Sequence, residues 1–300
     1  MKKFKLLNLI LLLLMAGVVH GQDYAFKVLA NKGNNKFKRE AEWQEVKTGA
    51  VLQTLDDLVL SKGAYVGLVH HSGKTLELKT PGAYKVKDLE DTLKGVTSGA
   101  AGKYADFVLS KMTAETQKNR LKSTGSVTRE ITSAQQNIIK VYMPSSGKVL
   151  NNEVVVRWDS LYAEAEYIVT FKNMFEDTLL TLESNHNSVT VNLADSRLSK
   201  QNVIIFNVSS ADGNSSSKTF ALKKLKPEEQ VKINDSLKNL TEEIDQENAL
   251  SQFILAGFYE ENNLLIDAMG SYEKAITLAP HVETYKLAYS DFILRNNLEN

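Results

Sequence analysis

Apolar and polar residues alternate with a period of two at 75–80 (Thr-Leu-Glu-Leu-Lys-Thr), the pattern of a half-buried strand. The stretch before it, 65–71, reads as a strand, and Ser72-Gly73 between them predicts a hairpin turn, because glycine tolerates the positive φ such turns need. Val51, Leu52, Leu55, Leu58, Val59 and Leu60 lead into a turn at Lys62-Gly63. Pro81-Gly82 turns the chain again, and 84–87 begins a further strand. Residues 22–92 thus read as a meander of short strands, a first β domain.

The pattern then changes. Gly95, Gly99 and Gly102 open a connector, 93–138, in which Tyr104, Phe107, Val108, Leu109 and Met112 fall at helical spacing and predict one short amphipathic helix. Residues 117–129 carry Lys118, Arg120, Lys122 and Arg129 among Ser, Thr and Gly around Gly125, and read as a solvated linker. From 139 to 225 the period returns to two. Strands are predicted to open at 141–143 and to follow at 154–158, 167–171, 178–182, 189–193, 203–208 and 218–222, with turn residues such as Asp212-Gly213 between them. Seven short strands at this spacing predict a β-sandwich.

Residues 226–300 read as helical. Pro227 suits a first helical turn, where its missing N–H costs nothing, and Glu228 and Glu229 favour the positive helix start. Ile233, Leu237, Leu240 and Ile244 then lie on one face. Leu255-Ala256-x-x-Tyr259, Ala268-x-x-x-Tyr272-x-x-Ala275 and Pro280 follow, with Asn262-Asn263 where a turn belongs. This spacing resembles the tetratricopeptide repeat, in which small residues let two helices approach and aromatics fill the gap. Gln252 stands where that repeat usually has Trp, and Ala256 where it has Gly. Tyr285, Ala288, Tyr289 and Phe292 begin a further unit with no second helix after it.

Two more resemblances attach to the β segments. Trp43-x-x-Val46-x-x-Gly49-x-x-Leu52, then 63–68 and 72–78, resemble a FecR-type domain, which implies a binding and regulatory β module of bacterial envelope proteins without catalysis. Ser72-Gly73 stands where that family usually has Asp-Gly. Pro144, Val156-x-Trp158, Tyr167-x-Val169, Phe206-x-Val208 and Asp212-Gly213-x-Ser215 resemble a fibronectin type III or immunoglobulin-like domain, which implies that Trp158 packs across the core on Tyr167. The expected fold class is therefore multidomain, mainly β plus α.

Composition narrows the function classes. A hydrophobic fraction of 43% and a charged fraction of 24% are those of a globular chain. Lys2, Lys3 and Lys5 followed by the apolar run 6–19 read as a secretory leader, 1–21, with cleavage expected after Gly21. The run is shorter than the ~20 residues that span a bilayer, so no membrane-spanning segment is expected in the mature chain. Its removal lowers 36 basic residues to 33 against 36 acids, a net −3, and no basic surface for nucleic acid is expected. With 0 Cys there are no disulfides, which fits a bacterial periplasm or the outer surface of a Gram-negative-type cell better than a eukaryotic secretory route.

Chemistry-bearing motifs are absent from the sequence. There is no phosphate loop, no nucleophile elbow and no His-Glu-x-x-His helix, so no catalytic residue and no cofactor is expected. His70-His71 invites a metal reading, but adjacent strand residues point to opposite faces, and His20, His186 and His281 are scattered. No metal site is expected. The function expected is a non-enzymatic exported scaffold that binds envelope proteins, with the helical tail as docking element. Glycan or peptidoglycan binding through the β domains is the alternative. Tyr285, Tyr289 and Phe292 are the candidate protein-binding residues, on the expectation that the terminal helix leaves their apolar face exposed; the other outcome is a helix folded back on its own repeat.

Overall fold

The computed structural model describes residues 24–93, 99–122 (side chains through 112), 138–159 and 166–298. The expected leader, 1–21, and the linker residues Gly125 and Arg129 lie outside them. Mixed β and α structure is present: fifteen strands and six helices among the described residues.

The first domain contains β1 (Phe26–Lys32), β2 (Lys36–Arg39), β3 (Glu42–Glu45), β4 (Val51–Leu52), β5 (Asp57–Leu60), β6 (Tyr65–His70), β7 (Thr75–Leu78), β8 (Gly82–Lys85) and α1 (Val86–Thr92). They form two four-stranded sheets, ordered β4-β1-β6-β7 and β3-β2-β5-β8. This corrects the meander: β1 and β6, distant in sequence, pair antiparallel at the centre of one sheet. It also corrects the strand expected at 84–87, because Val86 opens a helix whose Val86 and Leu89 turn one face inward.

Strand β6 is buried at every position. Its even residues Val66 and Leu68 join the domain's own core, while Tyr65 and Val69 join a second core shared with the helices. A strand covered on both faces loses its polar alternation, as 65–69 does here. Gly67 lies on the helix side; a Cβ there would stand 3.0 Å from Leu250 Cδ1. A bulge between Val28 and Ala30 in β1 turns Ala30 to that same side, opposite Gly67.

The connector holds α2 (Ala100–Lys122), a helix of 23 residues rather than the short one expected around 104–112. It is part of the helical layer. Tyr104 meets the Phe258 ring edge-on at 5.1 Å, and Lys27 of β1 pairs with Asp106.

The second β domain contains β9 (Ser146–Val149), β10 (Glu153–Arg157), β11 (Tyr167–Lys172), β12 (Thr178–Ser184), β13 (Ser188–Asn192), β14 (Val203–Ser210) and β15 (Phe220–Lys224). They form a five-stranded sheet, β12-β11-β14-β15-β9, and a two-stranded sheet, β10-β13. β9 runs parallel to β15. Burial alternates residue by residue along β11 and β14, so each sheet has one inner face. Phe171, Phe206 and Phe220 line the inside of the larger sheet, with successive ring centroids 5.5 Å apart. Trp158, fully buried just past β10, meets Tyr167 of the other sheet at 5.2 Å. The strand expected at 141–143 is not there: Val141 makes only an isolated bridge to Trp158, and the sheet gains β9 instead.

The helices of the tail are α3 (Pro227–Thr241), α4 (Ala249–Glu261), α5 (Leu265–Leu278) and α6 (Glu283–Arg295). Asn248 caps α4 by accepting from the Ser251 N–H at 2.8 Å. Asn263, at φ +57, makes the turn between α4 and α5. One continuous apolar core joins these helices to α2, to the helix-facing side of β1 and β6, and to the interior of the second β domain. No described helix is long and apolar enough to cross a membrane.

Candidate functional site

The terminal helix does not present the face assigned to it from sequence. Tyr285 and Phe292 are both 0% exposed and Tyr289 is half-buried, so the expectation of an uncovered apolar stripe on α6 is corrected. The cover comes from the first β domain and from the preceding helices α4 and α5. Tyr285 donates to the Tyr65 hydroxyl at 2.7 Å, and Tyr65 donates to Glu77 Oε1 at 2.6 Å. The same Glu77 oxygen accepts from the Leu250 N–H at 2.9 Å, at the start of α4. Burial, with the Glu77 charge nearby, holds both phenols well above the ordinary tyrosine range. Tyr289 donates to Glu273 Oε1 at 2.9 Å, and Phe292 packs on Tyr272 with centroids 5.1 Å apart. Arg295 closes the helix end with two 2.6 Å bonds to the buried Glu260 carboxylate.

The second β domain is held as firmly. Asp267 of α5 accepts the Leu150 and Asn151 N–H groups, both at 2.9 Å, and so clamps the turn between β9 and β10. Burial pushes its carboxyl up to about 6, against the two donors that favour the charged form. Asn151 Nδ2 donates to the Tyr259 hydroxyl at 3.3 Å, and burial raises that phenol to about 12. Arg157 Nε lies 2.8 Å from each oxygen of Glu273, a second tie between β10 and α5.

Between these two ties lies a cleft of about 640 Å³. Period two along β10 turns Glu153, Val155 and Arg157 to the outside of the small sheet, where they form one wall. Gly270, Lys274 and Thr277 of α5 form the other, and Gln252 of α4 lines the end. The walls offer amide, hydroxyl and charged groups of both signs. Asp267 has both oxygens committed to backbone donors, so it is a clamp and not a free base. Among the described residues, the cleft's one aromatic lining residue, Tyr259, is buried with its hydroxyl engaged.

A second cluster overturns the sequence argument about the histidines. β6 ends at His70, and His71 already belongs to the turn, so the strand rule of opposite faces no longer applies. The two rings lie 4.0 Å apart between centroids. Glu90 of α1 places Oε1 at 3.4 Å from His70 Nε2. The potential ligand atoms of these three residues all lie within 4.8 Å of one another. His281 is elsewhere, edge-on to Tyr65 at 6.3 Å. Sequence spacing had no means of finding Glu90, which reaches the hairpin only through the fold of α1. Compared with protein-family models and with curated proteins, the chain matches none.

Proposed function

We propose that this chain is a non-enzymatic, exported scaffold of the bacterial envelope that binds a partner protein through an extended peptide segment laid in the cleft between β10 and α5. The observation that carries this reading is the pair of ties on either side of the cleft, Asp267 to the β9–β10 turn and Arg157 to Glu273, which hold its two walls in place before any partner arrives. Preorganised walls lower the ordering cost of binding. The cleft is lined by polar groups and by the apolar Val155, Leu255, Ile266 and Met269, a mixture that suits the main chain and alternating side chains of an extended peptide. The parallel β9–β15 pairing and the Trp158–Tyr167 contact support the immunoglobulin or fibronectin-like reading of the second domain. The buried Ala256, Ala268 and Ala275 between α4 and α5 support the tetratricopeptide-like reading of the tail.

Gly270 gives the test. It lines the cleft, and a Cβ built there meets nothing within 4 Å. A photoreactive side chain at position 270 of the full chain, irradiated in cells, is expected to give one dominant crosslinked protein. Gly270→Trp fills the cleft and is expected to abolish crosslinking from a probe at Thr277. Unchanged crosslinking in Gly270→Trp rejects the cleft as the binding site. The glycan alternative has one observation in its favour, Trp43, 52% exposed on the outer strand β3. Trp158 is buried, so quenching or enhancement of accessible tryptophan fluorescence by peptidoglycan fragments would report on Trp43 alone.

A further inference from the structure

We propose that His70, His71 and Glu90 form a zinc site, with water completing a tetrahedron. A tetrahedral zinc with bonds of about 2.0–2.2 Å sets its ligand atoms about 3.3–3.6 Å apart. The His70 Nε2 to Glu90 Oε1 separation, 3.4 Å, already falls on that edge. The third ligand atom lies within 4.8 Å of the other two and belongs to one of three residues of which His71 is exposed, so a modest side-chain rotation closes the set.

The first ligand is held in place from behind. His70 is 8% exposed, its ring edge-on to Phe26 at 5.2 Å, and its Nδ1 lies 2.7 Å from Ser72 Oγ. In the tautomer that binds an ion through Nε2, Nδ1–H donates to Ser72 Oγ, in place of the 3.2 Å bond that Nδ1 accepts from the Ser72 N–H in the other tautomer. Imidazole with carboxylate suits zinc rather than calcium or magnesium.

The site sits at a junction. It would tie α1 to the β6–β7 hairpin. At the tip of that hairpin Gly73, at φ +98, packs so closely that a Cβ would lie 2.7 Å from Glu243 Oε2 and 3.2 Å from the Gly99 Cα. An ion there stiffens the hairpin on which the start of α2 rests. This inference is independent of the cleft and of the partner that the cleft takes.

The test loads the full mature chain with zinc, removes the excess by dialysis and measures metal by elemental analysis. Cobalt(II) in place of zinc gives visible absorption that reports tetrahedral geometry. One zinc per chain and a tetrahedral cobalt spectrum are expected. Both should be lost in His71→Ala and in Glu90→Gln, each with at least a tenfold fall in affinity, while circular dichroism in chelator stays that of the parent. A parent that retains no zinc overturns the proposal. So does a His71→Ala or Glu90→Gln variant that retains as much zinc as the parent.

Discussion

The hydroxyls of Tyr65 and Tyr285 lie 2.7 Å apart although 220 residues separate them in the chain. Tyr65 stands on the central strand β6 of the first domain, and Tyr285 on the last helix, α6. Their rings meet edge-on at 6.1 Å, and Glu77 accepts from Tyr65 at the far end of the chain of hydroxyls. Strand and terminal helix therefore share one buried polar contact inside one apolar core, and the tail is structural cement before it is anything else.

Tyr285→Phe removes a neutral hydrogen bond and leaves the Tyr65–Glu77 bond intact, so it should cost about 1 kcal/mol. Tyr285→Ala opens a cavity in the shared core and should cost about 3–5 kcal/mol. Denaturant unfolding followed by circular dichroism checks both. Equal stability of parent and Tyr285→Ala would mean that α6 does not pack on the first domain in solution.

Asp267 predicts a pH dependence. Its folded pKa, about 6, is raised above the ordinary 3.8 by burial. The folded state then holds the proton more tightly than the unfolded one, so this group's contribution is fully present below pH ~4 and is lost as pH rises through ~6. The loss is on the order of 1–3 kcal/mol. Asp267→Asn should flatten thermal stability across that window. It should also lower stability at the acid end, because the amide accepts one N–H well and presents its own donor to the other. A variant with the parent's pH profile would show that Asp267 does not titrate there.

Two helical glycines should respond oppositely to alanine. At Gly257 of α4 a Cβ would lie 2.4 Å from Val108 Cγ2 and 3.1 Å from the Tyr104 carbonyl oxygen. Gly257→Ala should therefore destabilise by about 1–3 kcal/mol through overpacking of α2 on α4. At Gly270 there is open space, and Gly270→Ala should gain about 0.5–1 kcal/mol from helix propensity and reduced unfolded-state entropy. Melting points of the two variants decide the matter; a stabilising Gly257→Ala would remove α2 from the helical layer.

Trp158 is fully buried, and among the described residues its indole Nε1 finds no hydrogen-bond partner. Trp158→Ala should cost about 3–5 kcal/mol as a cavity. Trp158→Phe keeps much of the volume and deletes the indole donor, so it should cost distinctly less. Iodide should leave Trp158 emission unquenched in a Trp43→Phe background. An unchanged melting point for Trp158→Ala would contradict the packing described.

Local pattern determined much of this chain. The period-two burial of 203–208, the hairpin at Ser72-Gly73 and the helix start at Pro227 were all legible, because propensity and periodicity act between neighbours. So was the helical hairpin around Asn262-Asn263, where small residues and a turn former coincide. Trp158 against Tyr167 followed from the resemblance, and the two rings meet at 5.2 Å. Periodicity says which face of an element is apolar, and says nothing about what covers it. The stripe on α6 is apolar as its pattern says but not exposed, because Tyr285 is covered by Tyr65, 220 residues away, and Phe292 by Tyr272 of the packed helix α5. The two histidines were placed on opposite faces by the strand rule, but the strand ends between them, and only the turn geometry brings their rings to 4.0 Å. Glu90 and the cleft walls come from contacts between segments far apart in sequence, which form when whole elements pack. Local residue order determined the elements, and the shared core of β6, α2, α4 and α6 decided which of their faces remain open to a ligand.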